Sequence, residues 1–175
     1  APYGVWKEAG LLTLTSGIYG VKTDYKYIIA DLVRIMEEYE IEIIGCGYDN
    51  HNAGAFLSDL EAVLPCDLVE VKQSARTLND ATRDFQLSVK AGKVHYDRQN
   101  ALLTWSMVNA VISAPNSMGE IKIDKMTQTN RIDPCDAVID AWTVYFNQHN
   151  NAAVDAEEAL SMWLEVTAGG CDEED

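Results

Sequence analysis

Ile41-Glu42-Ile43-Ile44-Gly45-Cys46-Gly47 runs directly into Tyr48-Asp49-Asn50-His51-Asn52. The first seven residues are short, β-branched and almost free of charge, which reads as a buried strand with a polar loop at its carboxyl end. What lies on either side decides the fold. Upstream, Tyr25, Ile28, Ile29, Leu32, Val33, Met36 and Tyr39 recur every three or four residues behind a potential cap at Asp24, which predicts an amphipathic helix over 25–39. Before it, Gly10-Leu11-Leu12-Thr13-Leu14-Thr15, bounded by Ser16-Gly17, alternates as a short strand does. Downstream, Phe56, Leu57, Leu60, Val63 and Leu64 mark a helix that stops before Pro65, and Leu68-Val69-Glu70-Val71-Lys72 predicts a further strand. This alternation of strand and helix is the rhythm of an α/β domain whose parallel strands are joined by right-handed crossovers. Ligands of such sheets gather beyond the carboxyl ends of the strands, so the loop at Asp49 is where a site is expected.

The second half predicts a helix at about 80–91 stopped by Gly92, another at about 100–112 stopped near Pro115, and a strand at Glu120-Ile121-Lys122-Ile123-Asp124-Lys125. Asp133 as cap with Pro134 at the first helical position is a strong helix start. A separate last helix is expected from Asp155, with Glu158 completing a capping box and Leu160, Trp163 and Leu164 on its apolar face. Gly169 to Asp175 reads as a flexible acidic tail. The expected organisation is thus a main domain at 1–150, a C-terminal helix at 151–168 and a tail at 169–175.

The 175 residues carry 13 Lys and Arg against 28 Asp and Glu, a formal net charge of -15, and are 47% hydrophobic. Nearly half the chain can enter a core, which excludes disordered and collagen-like sequence. No stretch approaches the ~18 consecutive apolar residues of a membrane span. The charge excludes a tight, stand-alone nucleic-acid coat, which neutralises phosphates with surplus Lys and Arg. It does leave room for an enzyme domain: without the last four acids it is still -11, and from residue 132 onward there is no Lys or Arg at all. Cys46, Cys66, Cys135 and Cys171 form no CxxC pair, which favours a reducing, intracellular compartment. The start, Ala1-Pro2-Tyr3, has neither an initiator Met nor a signal-peptide layout, and reads as a piece of a longer chain.

Asp49 follows a hydrophobic strand directly, where a carboxylate reaches an open site; the plainer reading is an Asx-turn residue. His51 is nearby, with no second His at ligand spacing. Asp133, Asp136 and Asp140, three and four residues apart, share one helix face, where they repel unless a cation or solvent intervenes. They also read simply as a cap, a first-turn acid favoured by the helix dipole, and an exposed acid. The combination points further. A carboxylate at a strand end, with one or two more at the start of a late helix, is what a two-metal phosphodiester-cleaving site needs, with oxygen-loving Mg²⁺ or Mn²⁺ ions ~3.5 to 4 Å apart. The sequence has no Walker A loop and no nucleophile elbow, so ATPase and α/β-hydrolase chemistry lose ground. Trp105, one turn from Asn109, is explained by core packing. Arg76, Arg83, Lys90, Lys93 and Arg98 make a modestly basic stretch whose default is a solvated face, with phosphate contact as the alternative.

The ordered motifs resemble the C-terminal nuclease domain of the large subunit of tailed-phage DNA-packaging terminases, over about residues 3–146. They are Tyr3-Gly4-Val5-Trp6-Lys7-Glu8-Ala9-Gly10-Leu11-Leu12, Ile44-Gly45-Cys46-Gly47-Tyr48-Asp49-Asn50-His51-Asn52-Ala53 and Gln73-Ser74-Ala75-Arg76-Thr77-Leu78-Asn79-Asp80-Ala81-Thr82, then His95 with Asn100, Leu103-Thr104-Trp105 with Asn109, and Asn130-Arg131-Ile132-Asp133-Pro134-Cys135-Asp136-Ala137. The resemblance implies a ribonuclease H-like mixed sheet flanked by helices. It also implies an endonuclease that uses Mg²⁺ or Mn²⁺ to cut concatemeric viral DNA during head filling. Asp49 then stands for the second acidic ligand, and Asp133 or Asp136 for the third, with Asp140 as an extra. The implied partners are double-stranded DNA, the terminase small subunit and the portal, in the cytoplasm of a bacterial host and with no membrane.

Relatives carry a first catalytic Asp on an opening strand upstream of the Trp-Lys-Glu segment. This chain starts after that point, so a fragment incomplete at its N-terminus is expected, weakly active or inactive alone, with a sheet edge open to dimerisation. Two rivals stay open: a non-catalytic α/β interaction domain with an acidic tail, and a resolvase-like or transposase-like nuclease.

Overall fold

A computed structural model describes residues 1–14, 25–51 and 54–168 of the chain. The elements in order are α1 (Tyr3–Glu8), α2 (Lys26–Glu38), β1 (Cys46–Tyr48), α3 (Gly54–Glu61), β2 (Leu68–Glu70), α4 (Ala75–Lys90), α5 (Ala101–Asn109), β3 (Ala110–Ile112), β4 (Ile123–Lys125) and α6 (Asp133–Ala168). No described helix is long and apolar enough to cross a membrane.

β1 and β2 pair in parallel, Cys46 opposite Leu68 and Tyr48 opposite Glu70, with α3 as the crossover. Val71 N–H extends the ladder by donating to the Tyr48 carbonyl at 2.8 Å. β3 and β4 form a separate antiparallel pair with Ile112 opposite Ile123. The described strands thus make two separate two-stranded sheets, one parallel and one antiparallel. Only the last residues of the predicted strands 41–47 and 120–125 enter a ladder, because a strand needs a partner for its backbone groups where a helix supplies its own.

Helix ends follow local chemistry. Ser74 caps α4, its Oγ accepting from the Thr77 amide at 3.2 Å, so the helix starts five residues earlier than the predicted 80. The expected strand at Gly10 to Thr15 is corrected over its described part: residues 10–14 carry no strand, while Thr15-Ser16-Gly17 lies outside the described residues. Gly10 instead closes α1. At a φ of 71° it takes the left-handed conformation that favours glycine, and the Gly10 and Leu11 amides donate to the Lys7 and Trp6 carbonyls at 3.0 and 2.8 Å. The predicted helix 100–112 ends at Asn109, where β-branched Val111 and Ile112 pair with β4 instead.

A second correction concerns the C-terminal helix. No new helix starts at Asp155; α6 is continuous for 36 residues because nothing between Pro134 and Gly169 is Pro or Gly, and so nothing stops it. The Asp24 cap and the acidic tail at 169–175 fall outside the described residues, as do the side chains of Asp155 and Glu158.

The core lies where α4, α6 and β2 meet: Val71, Leu78, Phe85, Ile139 and Val144 pack together, with Val69, Met107, Ile123 and Trp142 around them. Phe85 meets Trp142 edge-to-face at 5.2 Å, and Trp142 Nε1 donates to Asp84 at 2.9 Å, so α4 and α6 are joined by apolar and polar contacts at once. Trp6, buried on α1, meets Trp105 of α5 at 5.1 Å, which bears out the packing role of Trp105.

The approach of α6 to β1 is set by glycine. A Cβ on Gly47 would stand 2.9 Å from the Asp140 carbonyl oxygen, 3.0 Å from Val144 and 3.1 Å from Val71. With no side chain there, α6 rests directly on the strand that leads into Asp49.

Candidate active site

Asp49 is the first residue past β1, and Gln73 lies just past β2, so both sit at the carboxyl ends of parallel strands. The Ile132 carbonyl accepts from the Asp136 amide at 2.9 Å, and buried Ser106 of α5 accepts from the Cys135 amide at 2.9 Å, which fixes the first turn of α6. Ahead of that turn, Asn130 donates to Asn109 at 3.1 Å and accepts from Thr127 at 2.7 Å. The resemblance motifs at Asn109 and Asn130 thus act by holding the loop that delivers Asp133 and Asp136.

All three predicted acids line one cleft. Asp49, Asp133 and Asp136 border a cavity of about 250 Å³ with Gln73, Lys122, Lys125, Asn130 and Arg131. Asp140 is buried behind them, 9% exposed, and its carboxylate accepts from Gln73 Nε2 at 2.9 Å. The same Gln73 amide donates to the Val71 carbonyl at 3.1 Å, and the Gln73 carbonyl accepts from Lys122 Nζ at 3.2 Å. One residue therefore joins β2, α6 and the β3–β4 hairpin at the edge of the cleft. Asp49 also accepts from the His51 amide at 3.2 Å, the Asx-turn contact of the plainer reading, so that role is present too. His51 is exposed, as is His95.

The electrostatics are those of acids forced together. Burial pushes the Asp136 carboxyl up to about 6, helped by the carboxylates of Asp140, Asp133 and Asp124 and opposed by Lys122. Asp140 is raised as well, first by burial and further by Asp49, against the hydrogen bond from Gln73 that holds it down. In the unfolded chain Asp136 has its ordinary 3.8, so folding takes up a proton between the two values. This group leaves stability untouched below the lower value, erodes it as pH rises from the lower value to the folded one, and imposes its full penalty above. Two units correspond to about 3 kcal/mol for a fully desolvated carboxyl, and solvent screening of this half-buried one leaves about 1 kcal/mol. Urea titrations without divalent ion are expected to show wild type losing about 1 kcal/mol more than Asp136→Asn between about pH 3 and pH 8. Parallel pH curves for the two proteins would refute the assignment.

The donors suit a hard divalent cation in kind. The side chains of the cleft offer carboxylate and amide oxygens and no sulfur or imidazole, and burial raises the Cys135 thiol to about 11, away from thiolate chemistry. In number they are few: among the described residues no three His, Cys, Asp or Glu side chains converge tightly enough to enclose an ion. Mg²⁺ commonly takes only one or two carboxylates and fills its shell with water and substrate phosphate, so two acids and an open cleft meet its needs.

Three contributors are not singled out by the sequence alone. Gln73 sits past a predicted strand end, the same signal that singled out Asp49. Lys122 alternates with Ile121 and Ile123 in a strand pattern, yet only the folded hairpin brings it to the cleft. Gly47 was legible as a small residue, but not as the contact point of α6. Arg83, read by default as part of a solvated face with phosphate contact as the alternative, is exposed and donates to Asn79 at 3.1 Å and to the Gly119 carbonyl at 2.9 Å, tying α4 to the hairpin loop.

Residues 2–149 match the family described as "Terminase large subunit, endonuclease domain". The crystal structure of the HK97 bacteriophage large terminase matches with a TM-score of 0.70 at 29% sequence identity, over 82% of this chain and 29% of that one. The chain thus spans less than a third of that protein's length. No curated protein matches it.

Proposed function

Since the chain belongs to the family of terminase large-subunit endonuclease domains and has their ribonuclease H-like α/β fold, we propose that it hydrolyses phosphodiester bonds of double-stranded DNA at the Asp49–Asp136 cleft, cutting concatemeric viral DNA during head filling. The observation that carries this is the convergence on one cleft of the carboxylate after β1 and those in the first turn of α6. A non-catalytic interaction domain would have no need to crowd acids until one is raised to about 6.

Asp49 and Asp136 would hold Mg²⁺ or Mn²⁺, which when bound supplies positive charge to the scissile phosphate and lowers the pKa of water. The chain's own residues orient these groups. Ser106 and Asn130 set the start of α6, Gly47 lets that helix lie on β1, and Gln73 keeps Asp140 hydrogen-bonded behind the pair. Asp136 is favoured over Asp133 as the ligand from α6 because it is half-buried against the other acids, whereas Asp133 is exposed. Duplex DNA, the terminase small subunit and the portal follow as partners, in the cytoplasm of the infected host.

The test is nicking of supercoiled plasmid with Mn²⁺ by the full large subunit that contains this domain. Asp136→Ala is expected to lose about 10²-fold or more in rate and Asp133→Ala less than about threefold, since removing a ligand removes charge stabilisation directly. A reversed order would move the ligand to Asp133. No metal-dependent nicking by the parent protein would reject the nuclease reading.

A further inference from the structure

Lys122, Lys125 and Arg131 line the same cleft as Asp49, Asp133 and Asp136, yet none of them forms an ion pair with an acid among the described residues. Among the described residues the ion pairs are those of Arg34 with Asp31 and Glu38 on α2. Cations beside carboxylates without pairing to them leave their donors open to another anion. Lys122 differs from the other two in being anchored. Its Nζ donates to the Gln73 carbonyl at 3.2 Å, its own amide donates to Ser113 Oγ at 3.1 Å, and the neighbouring Ile121 amide donates to Asn79 of α4 at 3.0 Å. An ammonium has three donors, so two remain after the Gln73 bond. Lysine binds phosphate as a point charge, and this one is held at the lip of an acidic cleft that would otherwise repel a phosphodiester.

Building on the nuclease reading, we propose that Lys122 is a substrate-binding residue that seats a DNA backbone phosphate beside the Asp49–Asp136 cleft. Its anchor on Gln73 ties the seat to the same residue that holds Asp140, so phosphate and acids are positioned from one point. The seat also gives an acidic chain a local contact for DNA that its net charge of -15 would not suggest.

The measurement is binding of a short DNA duplex by the complete chain across a salt series, followed by fluorescence anisotropy in Ca²⁺. One phosphate contact contributes about 0.9 to the slope of log K against log salt, which amounts to about eightfold in affinity at about 0.1 M salt. Lys122→Met is expected to lose both, while melting at the temperature of the parent chain. Lys122→Arg is expected to keep the slope, which a purely structural lysine would not require. Lys90→Met removes the same charge from the far end of α4, about 22 Å along the helix from its start near Gln73, and is expected to change neither slope nor affinity.

An unchanged slope in Lys122→Met, an equal loss in Lys90→Met, or no DNA binding by the parent chain would each overturn the proposal. Failure of the nuclease reading is seen separately, as absent nicking by the parent large subunit or full nicking by its Asp49→Asn variant. A nicking enzyme that needs Asp49 but shows an unchanged slope in Lys122→Met keeps the reading and loses the seat.

Discussion

Asp49→Asn in the full large subunit is expected to lower Mn²⁺-dependent plasmid nicking by about 10³-fold, the equivalent of about 4 kcal/mol of transition-state stabilisation. Asparagine is the informative substitution because it separates the observed turn role of Asp49 from the proposed ligand role. As an Asx-turn residue it accepts from the His51 amide at 3.2 Å, and an Asn side-chain oxygen does the same. In the proposed ligand role it would supply a negative charge, which Asn lacks. The turn role alone therefore predicts near-normal activity in Asp49→Asn and a defect only in Asp49→Ala. The ligand role predicts that both are inactive. Because Asp49 is exposed, the melting temperature of the Asn variant should stay close to that of wild type. An active Asp49→Asn enzyme would return the residue to the turn and remove it from the site.

The second large effect is expected at Gly47, which touches no ligand. Gly47→Ala places a methyl group 2.9 Å from the Asp140 carbonyl oxygen, a backbone atom that cannot swing aside, with Val144 and Val71 at 3.0 and 3.1 Å closing the remaining space. Either β1 or α6 has to retreat. Overpacking of this kind costs about 1–3 kcal/mol, which for a chain of this size lowers the melting temperature by roughly 3–10 °C. Activity should suffer more than stability. The retreat separates Asp49 on one element from Asp136 on the other, and a misplacement of about 1 Å is worth about 10²-fold in rate. Thermal melting and nicking assayed on the same preparation check both halves. A variant that melts and cuts like wild type would show that the helix and strand have slack between them.

The residues that advertised the fold from sequence are those whose structure is locally determined. The periodic run from Tyr25 to Tyr39 became α2 at Lys26–Glu38, Gly92 ended α4, and Asp133-Pro134 opened α6. The strands were less legible in extent. From Ile41 to Gly45 the β-branched pattern is present but no ladder forms with any described residue, since pairing depends on a partner distant in sequence. Gly10 closes a helix where the sequence suggests a strand, because a glycine beside a leucine-rich run serves a helix end as readily as a strand start.

The site divides along the same line. Asp49, Asp133 and Asp136 could be named as candidates because a strand end and a helix start are both local signals, and the three line one cleft. Gln73 carries the same strand-end signal, but its link to Lys122 does not show: their bond joins residues 49 positions apart, and neither sequence neighbourhood hints at the other.

The unbroken course of α6 bears on how the gene tolerates insertions and deletions. Asp133, Asp136 and Asp140 share one uninterrupted helix with Ile139, Trp142 and Val144. Adding or removing one residue rotates everything beyond it by about 100° and shifts it by about 1.5 Å along the axis. With no loop between acids and core to absorb that step, a single-residue indel from Asp136 to Val144 leaves either the cleft or the hydrophobic contacts out of register. The same event past the last core contact leaves the acids where they were. Length variation among descendants of this sequence should therefore be confined to the distal part of the helix, while its first three turns keep a constant count.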